Sequence, residues 1–138
     1  MNNQIHLSIV TSAGTVFDGP ADYIEIPLQN GSIGVLPGHA ATLGAVTDGV
    51  VLARRDGSER YIAVGRGVAN IAHNEVTLLV RTAERAEDID AARAAAAEKR
   101  ARGYLADKAG HWNMDRAEMA LRRSLARQSA VLMLKRRS

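Results

Sequence analysis

The chain of 138 residues contains no cysteine, one tryptophan, one phenylalanine and three prolines. Without cysteine it forms no disulfides, no zinc-thiolate sites and no thiol nucleophile, while its compartment stays undetermined. No apolar run approaches the roughly 18 residues that a membrane-spanning helix needs. The opening MNNQIHLSIV lacks the basic start, long apolar segment and small-residue cleavage site of an export signal, so the expectation is a protein that stays in the cytoplasm.

The usual catalytic signatures are missing as well. Gly65-Arg66-Gly67 has neither the spacing nor the following lysine of a phosphate-binding loop, and no long βαβ unit surrounds it. It reads as a turn. His6, His39, His73 and His111 stand apart, with no H-E-x-x-H motif and no carboxylate cluster beside them, so no metal site is expected. No serine lies in a G-x-S-x-G elbow. Nothing in the sequence points to an enzyme.

What is present is a soluble, globular composition of 46% hydrophobic and 24% charged residues, with an uneven distribution of charge. Up to Ala83, five arginines stand against seven carboxylates, a net −2, so the remainder of the chain carries +5. After Asp115, Arg116, Arg122, Arg123, Arg127, Lys135, Arg136 and Arg137 face only Glu118. A basic end of this kind seeks an acidic partner: nucleic acid, anionic lipid, nucleotide or an acidic protein segment.

The periodicity also changes along the chain. Up to about Val80, turn signals recur about every 8 to 12 residues, as in a β-sandwich or barrel. Ile5, Leu7 and Ile9 alternate with more polar neighbours, as do Ile24, Ile26 and Leu28. Asn30-Gly31 and Asp56-Gly57 suit tight hairpin turns with positive φ. Nine or ten short strands are predicted. After Arg81 alanine dominates, and two helices are predicted. Asp88 is the expected cap of the first, running through IDAARAAAAEKRARGYLA. Asp115 and Glu118 have the spacing of a capping box that opens the second helix toward Leu134. Ala117, Leu121, Leu125 and Leu132 lie close to one stripe of it. The expected fold is thus mixed and mainly β: an N-terminal sandwich over residues 1–83, then an antiparallel two-helix hairpin over 84–138. Alanines bury little area each, so the seam between the helices is expected to be weakly held.

The segment SIGVLPGHAATLGAV places Pro37, Gly38 and His39 inside an apolar run. With no partner to orient or charge it, His39 reads as a loop imidazole rather than a base. Pro37 fixes its φ, Gly38 tolerates unusual backbone angles, and Ala40 and Ala41 keep the loop flat. Such a loop suits docking.

Several of these segments, taken together and in order, resemble a known family. GSIGVLPGHA (Gly31 to Ala40), DGVV (Asp48 to Val51), YIAVGRGVANI (Tyr61 to Ile71), AERAEDIDAARA (Ala83 to Ala94) and RAEMALRRSLAR (Arg116 to Arg127) are similar to the epsilon subunits of F-type ATP synthases. The likeness covers essentially the whole chain. It implies a β-sandwich with a helical hairpin and a non-catalytic place in the central rotor. The sandwich would bind the gamma subunit and rest on the polar loops of the c-ring through Pro37, Gly38 and His39, during proton-driven ATP synthesis. The protein would lie peripherally on the cytoplasmic face of the bacterial plasma membrane.

The resemblance also implies a regulatory hairpin. In the family it folds against the sandwich or extends along gamma into the catalytic alpha/beta hexamer, where it restrains ATP hydrolysis. Arg116, Arg122, Arg123 and Arg127 are the residues expected to meet an acidic segment of the beta subunit; a solvated basic face is the plainer reading of the same residues. Exposed pairs give only about 0 to 1 kcal/mol each, so several must act together. Some members bind ATP without hydrolysing it, and IDAARA resembles their motif. That places Asp90 and Arg93 at matching positions, with Glu84, Arg100, Arg123 and Arg127 as supporting polar residues. Asp90 and Arg93 read equally as helix-surface charges. No other cofactor is implied.

The connection GYLADKAGHWNMD departs from the family in carrying Tyr104, His111 and Trp112, and the chain ends in a basic LKRRS. Trp112 packed on the sandwich would hold the hairpin down and weaken inhibition. Two other readings fit the composition. A sandwich with a basic nucleic-acid-binding tail would need aromatics for bases to stack on, and only Tyr104 and Trp112 are near. A free ATP sensor would bind ATP without binding gamma.

Overall fold

The computed structural model describes residues 4–107, 110 and 113–137, the last of these by backbone alone. His111, Trp112 and the side chain of Arg137 lie outside the described residues, and with them the expected packing of Trp112.

Among the described residues ten strands form: β1 (Ile5–Thr11), β2 (Gly14–Ala21), β3 (Tyr23–Leu28), β4 (Gly31–Val35), β5 (Thr42–Val46), β6 (Gly49–Arg55), β7 (Ser58–Val64), β8 (Gly67–Ala72), β9 (Glu75–Val80) and β10 (Ala83–Arg85). Their ladder runs β10-β7-β6-β3-β5-β8-β9-β1-β2, with β4 on the remaining edge of β3. All pairs are antiparallel except β1 with β9. The single pair Leu28 with Val46 joins β3 to β5, and there the sheet folds over into two layers. The alternation expected from the sequence puts Ile5, Leu7, Ile9, Ile24 and Ile26 in the shared core, joined from the other strands by Ile62, Ile71 and Leu78. Each such side chain contributes about 1.5–3 kcal/mol on burial.

Tight mirror-image turns close two hairpins, with positive φ at Asp56 and Gly57 and at His73 and Asn74. At Asn30-Gly31 only the glycine has positive φ, so the same dipeptide signal makes a different turn. The Gly-Arg-Gly segment has a packing reason. A Cβ on Gly67 would lie 2.0 Å from the carbonyl oxygen of Leu79, so only glycine lets β8 approach β9 here.

The sheet continues two residues past the expected boundary, because Ala83, Glu84 and Arg85 pair with Val64, Ala63 and Ile62. A 3-10 turn (Ala86–Asp88) then leads to α1 (Ala91–Ala106) and α2 (Met114–Arg137). Asp88 sits in that turn and is not the cap. Asp90, with extended backbone angles, caps α1 through its side chain to the Arg93 amide at 3.1 Å. The expected Asp115–Glu118 capping box is likewise replaced. Asn113 Oδ1 accepts from the Arg116 amide at 3.1 Å, two residues earlier.

The stripe that α2 buries also differs from the leucine row expected. Ala117, Ser124, Ala126 and Ala130 are buried, while Leu125 and Leu132 are exposed. Alanine-rich α1, buried at Ala94 and Ala101, brings the two helices together on small residues and leaves the leucines at the rim. The hairpin sits on the sandwich through α2, against β6, β7 and the 3-10 turn. This seat is a second small cluster: Tyr61, Ala63, Ala86 and Ala130, bordered by Val50, Leu52, Ile89 and Leu134.

Candidate functional site

The Pro37-Gly38 loop is a fixed turn. The His39 amide donates to the Leu36 carbonyl at 3.1 Å, and Gly38 takes φ +86°, as proline followed by glycine in the middle of a type II turn requires. The Gly38 amide donates to Asn74 Oδ1 at 2.7 Å, tying the loop to the β8–β9 turn. His39 Nδ1 lies 2.7 Å from the Ala40 carbonyl, a backbone partner that leaves the ring without an orienting carboxylate. The turn instead presents Leu36, 59% exposed. Its chemistry is that of a contact surface.

A second surface was not legible in the sequence. On the outer face of β5, β8 and β9, Leu43, Val68 and Leu79 are 75%, 46% and 57% exposed. Val68 pairs directly with Ala45 and Leu79, and Leu79 with Val10 of β1, so an apolar row crosses four strands. An exposed apolar patch of this kind on a sheet face is a candidate docking surface. The signal was the adjacent Leu78-Leu79: when neighbouring strand residues are both large and apolar, both faces of the sheet are apolar.

The basic residues of α2 divide into groups. Glu84, Arg123 and Arg127 line a cavity of about 230 Å³ between β10, β7 and α2. Arg123 and Arg127 also border a cavity of about 270 Å³ between the helices, together with Arg100 and Tyr104. Arg127 Nε lies 2.9 Å from Glu84 Oε1, and its Nη2 donates to Glu84 Oε2 at 3.4 Å. The Nε contact is an ion pair without the alignment of a hydrogen bond, so that buried N–H has no aligned acceptor among the described residues. Arg122 pairs with Glu118 at 3.2 Å on the exposed side of α2, and Arg116 borders a third cavity beside Tyr104 and Asn113. Asp90, the N-cap of α1, and Arg93 in its first turn line neither of the first two cavities.

Between the helices, Glu98 accepts from Gln128 Nε2 at 2.8 Å and from Arg102 Nε at 2.6 Å. Those hydrogen bonds, Gln128 first, hold its carboxyl below the usual range. No group of three or more potential metal ligands comes together among the described residues, and no helix among them is long and apolar enough to cross a membrane.

The fold defines a two-part protein: a sandwich with an exposed apolar patch and a hydrogen-bonded Pro-Gly turn, carrying a helical pair on a small seat. Residues 4–86 match the family described as "ATP synthase, Delta/Epsilon chain, beta-sandwich domain", and residues 87–131 match "ATP synthase, Delta/Epsilon chain, long alpha-helix domain". The ATP synthase epsilon chain of Bacillus velezensis is 36% identical over 89% of this chain and 93% of its own length. That of Nitratidesulfovibrio vulgaris strain DP4 is 39% identical over 92% and 95%. That of Symbiobacterium thermophilum is 38% identical over 91% of each. A chain in the Euglena gracilis mitochondrial ATP synthase, OSCP/F1/c-ring in rotational state 1, shares the fold with a TM-score of 0.82 at 22% identity, covering 95% of this chain and 83% of that one. The chain belongs to the delta/epsilon-chain family of the ATP synthase, whose epsilon chains are non-catalytic subunits of the stalk.

Proposed function

We propose that the sandwich couples the gamma subunit to the c-ring and that the hairpin restrains ATP hydrolysis at the cytoplasmic face of the membrane. The observation that carries the coupling is the exposed patch of Leu43, Val68 and Leu79 on the outer sheet face, an apolar surface suited to a permanent partner such as gamma. Pro37, Gly38 and His39, tied to Asn74, would offer the c-ring a turn of defined shape. Replacing Leu79 with Asp on this outer face is expected to abolish co-purification with gamma while leaving the melting temperature of the isolated chain within a few degrees. Retained binding would sink this reading.

The hairpin acts as the brake when it leaves its small seat and brings Arg116, Arg122, Arg123 and Arg127 to an acidic segment of the beta subunit in the alpha/beta hexamer. Hydrolysis by the catalytic head with gamma is to be compared between the full chain and one ending at Asp88, which keeps β10 in the sheet. Faster hydrolysis with the shorter chain is expected, most of all at low salt, since exposed charges are screened. ATP is the proposed regulatory ligand of the seated hairpin. Arg100, Arg123 and Arg127 supply guanidinium forks suited to phosphate, and the unaligned buried Nε of Arg127 fits an added acceptor. Glu84 holds Arg127 in place, while Asp90 and Arg93 in the first turn of α1 would meet the nucleoside end. Millimolar ATP should shift the amide NMR signals of these residues.

A further inference from the structure

The sandwich holds an unusual group of charges on its inner side. In β6, Val51 and Ala53 belong to the core, and Arg55 follows on the same face. In β7, Val64 and Ile62 are core, with Arg60 next on that face and opposite Ala53. In β10, Ala83 packs on the core and Arg85, opposite Ile62, comes next. Three neighbouring strands therefore carry an arginine on their core-facing side just where the hydrophobic row ends, with Arg55 and Arg60 exposed at the open end of the sandwich. Across from them β2 offers the Phe17 ring and Gly19, which has no side chain to fill the gap. The result is a cleft of about 320 Å³ whose walls include Phe17, Arg55, Ser58, Arg60 and Arg85.

The positive charge there is poorly compensated. Arg85 is anchored, with Nε donating to the Val16 carbonyl at 2.9 Å and its guanidinium 5.6 Å above the Phe17 ring, so neither contact neutralises it. Arg60 has no side-chain partner among the described residues. Arg55 has only a 3.7 Å approach to Asp56 at the strand end. The carboxylate bordering the cleft, Asp18, has its Oδ1 engaged by His6 and by Ser8 Oγ on the neighbouring strand. Inward charges beside the edge strands β2 and β10 discourage edge-to-edge pairing, but that purpose needs no convergence on one cavity.

We propose that this cleft binds a small phosphate-type dianion, free phosphate or a compact phosphomonoester. Guanidinium forks match phosphate oxygens, the Ser58 hydroxyl adds a neutral donor, and the cavity sits at the lower end of the roughly 300–1,000 Å³ found for small-molecule sites. The proposal does not rest on the rotor reading, because the apolar row, the Pro37-Gly38 loop and the hairpin contribute none of these residues.

The test is an amide NMR titration of the full chain with inorganic phosphate at constant ionic strength set with chloride, above neutral pH. Saturable shifts confined to residues 17–19, 55–60 and 85 are expected, and Arg60→Gln and Arg55→Gln should each weaken binding about tenfold, as losing one charge-assisted contact does. Arg66→Gln, outside the cleft, should leave the affinity unchanged. Shifts that never saturate, that spread over surface arginines, or that persist in both cleft variants overturn the proposal.

Discussion

The sandwich and the hairpin bury different kinds of residue, large aliphatic side chains in the one and alanines in the other. The sandwich core is filled by Ile5, Leu7, Ile9, Ile24, Ile26, Ile62, Ile71 and Leu78, each essentially inaccessible. The helical pair buries Ala94, Ala101, Ala117, Ser124, Ala126 and Ala130. At about 0.8 kcal/mol per buried methylene, an alanine methyl contributes a fraction of what an isoleucine does. The seat between hairpin and sandwich has Tyr61 as its one large buried side chain. On the proposed reading, release of the helices would leave the core of the sandwich untouched.

The largest effect that would sharpen this contrast is in the sandwich. Leu78→Ala should cost about 2–5 kcal/mol, the usual range for emptying a fully buried leucine, seen as a lower denaturation midpoint for the whole chain. Next comes Ala130→Leu. Ala130 is fully buried between α2 and the sandwich, and overpacking it should cost about 1–3 kcal/mol. The expected outcome is local: hydrogen exchange speeds up in α1 and α2, while β1 and β9 stay protected. Equal loss of protection in both regions would break the comparison.

The strands were legible because alternation in a two-layer sandwich is written directly into Ile5-Leu7-Ile9 and Ile24-Ile26. The helices were legible as elements but not at their edges. Asp88 and Asp90 are chemically equal caps, and the choice was made by the 3-10 turn that carries Ala86 into the seat beside Tyr61. The leucines of α2 suggested its buried stripe, yet close approach of an alanine helix rewards small residues, which hydrophobicity ranking overlooks. Leu78-Leu79 announces that both faces of β9 are apolar, but the alignment of Val68 with Leu79 and the convergence of Arg55, Arg60 and Arg85 depend on cross-strand register. Register is a property of pairs of strands, invisible along any one of them.

A smaller effect is expected at the tie between the two regions. Glu84 on β10 and Arg127 on α2 form an ion pair that is only partly buried, so Glu84→Gln should weaken the seat by about 1 kcal/mol or less. Raising salt should reproduce much of that loss in the unmodified chain and little in the variant, read again by hydrogen exchange in α2. If Glu84→Gln instead destabilised the sandwich, the pair would belong to the core and the division between the regions would fall.

The smallest effect lies inside the hairpin, where it reports on the helix seam alone. Glu98 has its carboxyl held below the usual range by Gln128 and then Arg102, so the folded hairpin favours its ionised form. Its contribution is therefore complete above the unfolded carboxylate value of about 4.3 and fades as pH falls below that, through the lower folded value. The carboxyl is partly exposed at the seam, so solvent screening keeps the effect slight. Acidification from neutral pH to below this range should loosen α1 in the native chain, by hydrogen exchange, more than in Glu98→Gln, which keeps the side-chain shape but has no proton to gain. Because every other carboxylate titrates in both proteins, the difference between the two acid limbs belongs to Glu98. A difference confined to α1 and α2 would place the hairpin's weakest link in its own seam. A difference reaching β6 and β7 would mean that seam and seat open together, making release of the hairpin a single cooperative step.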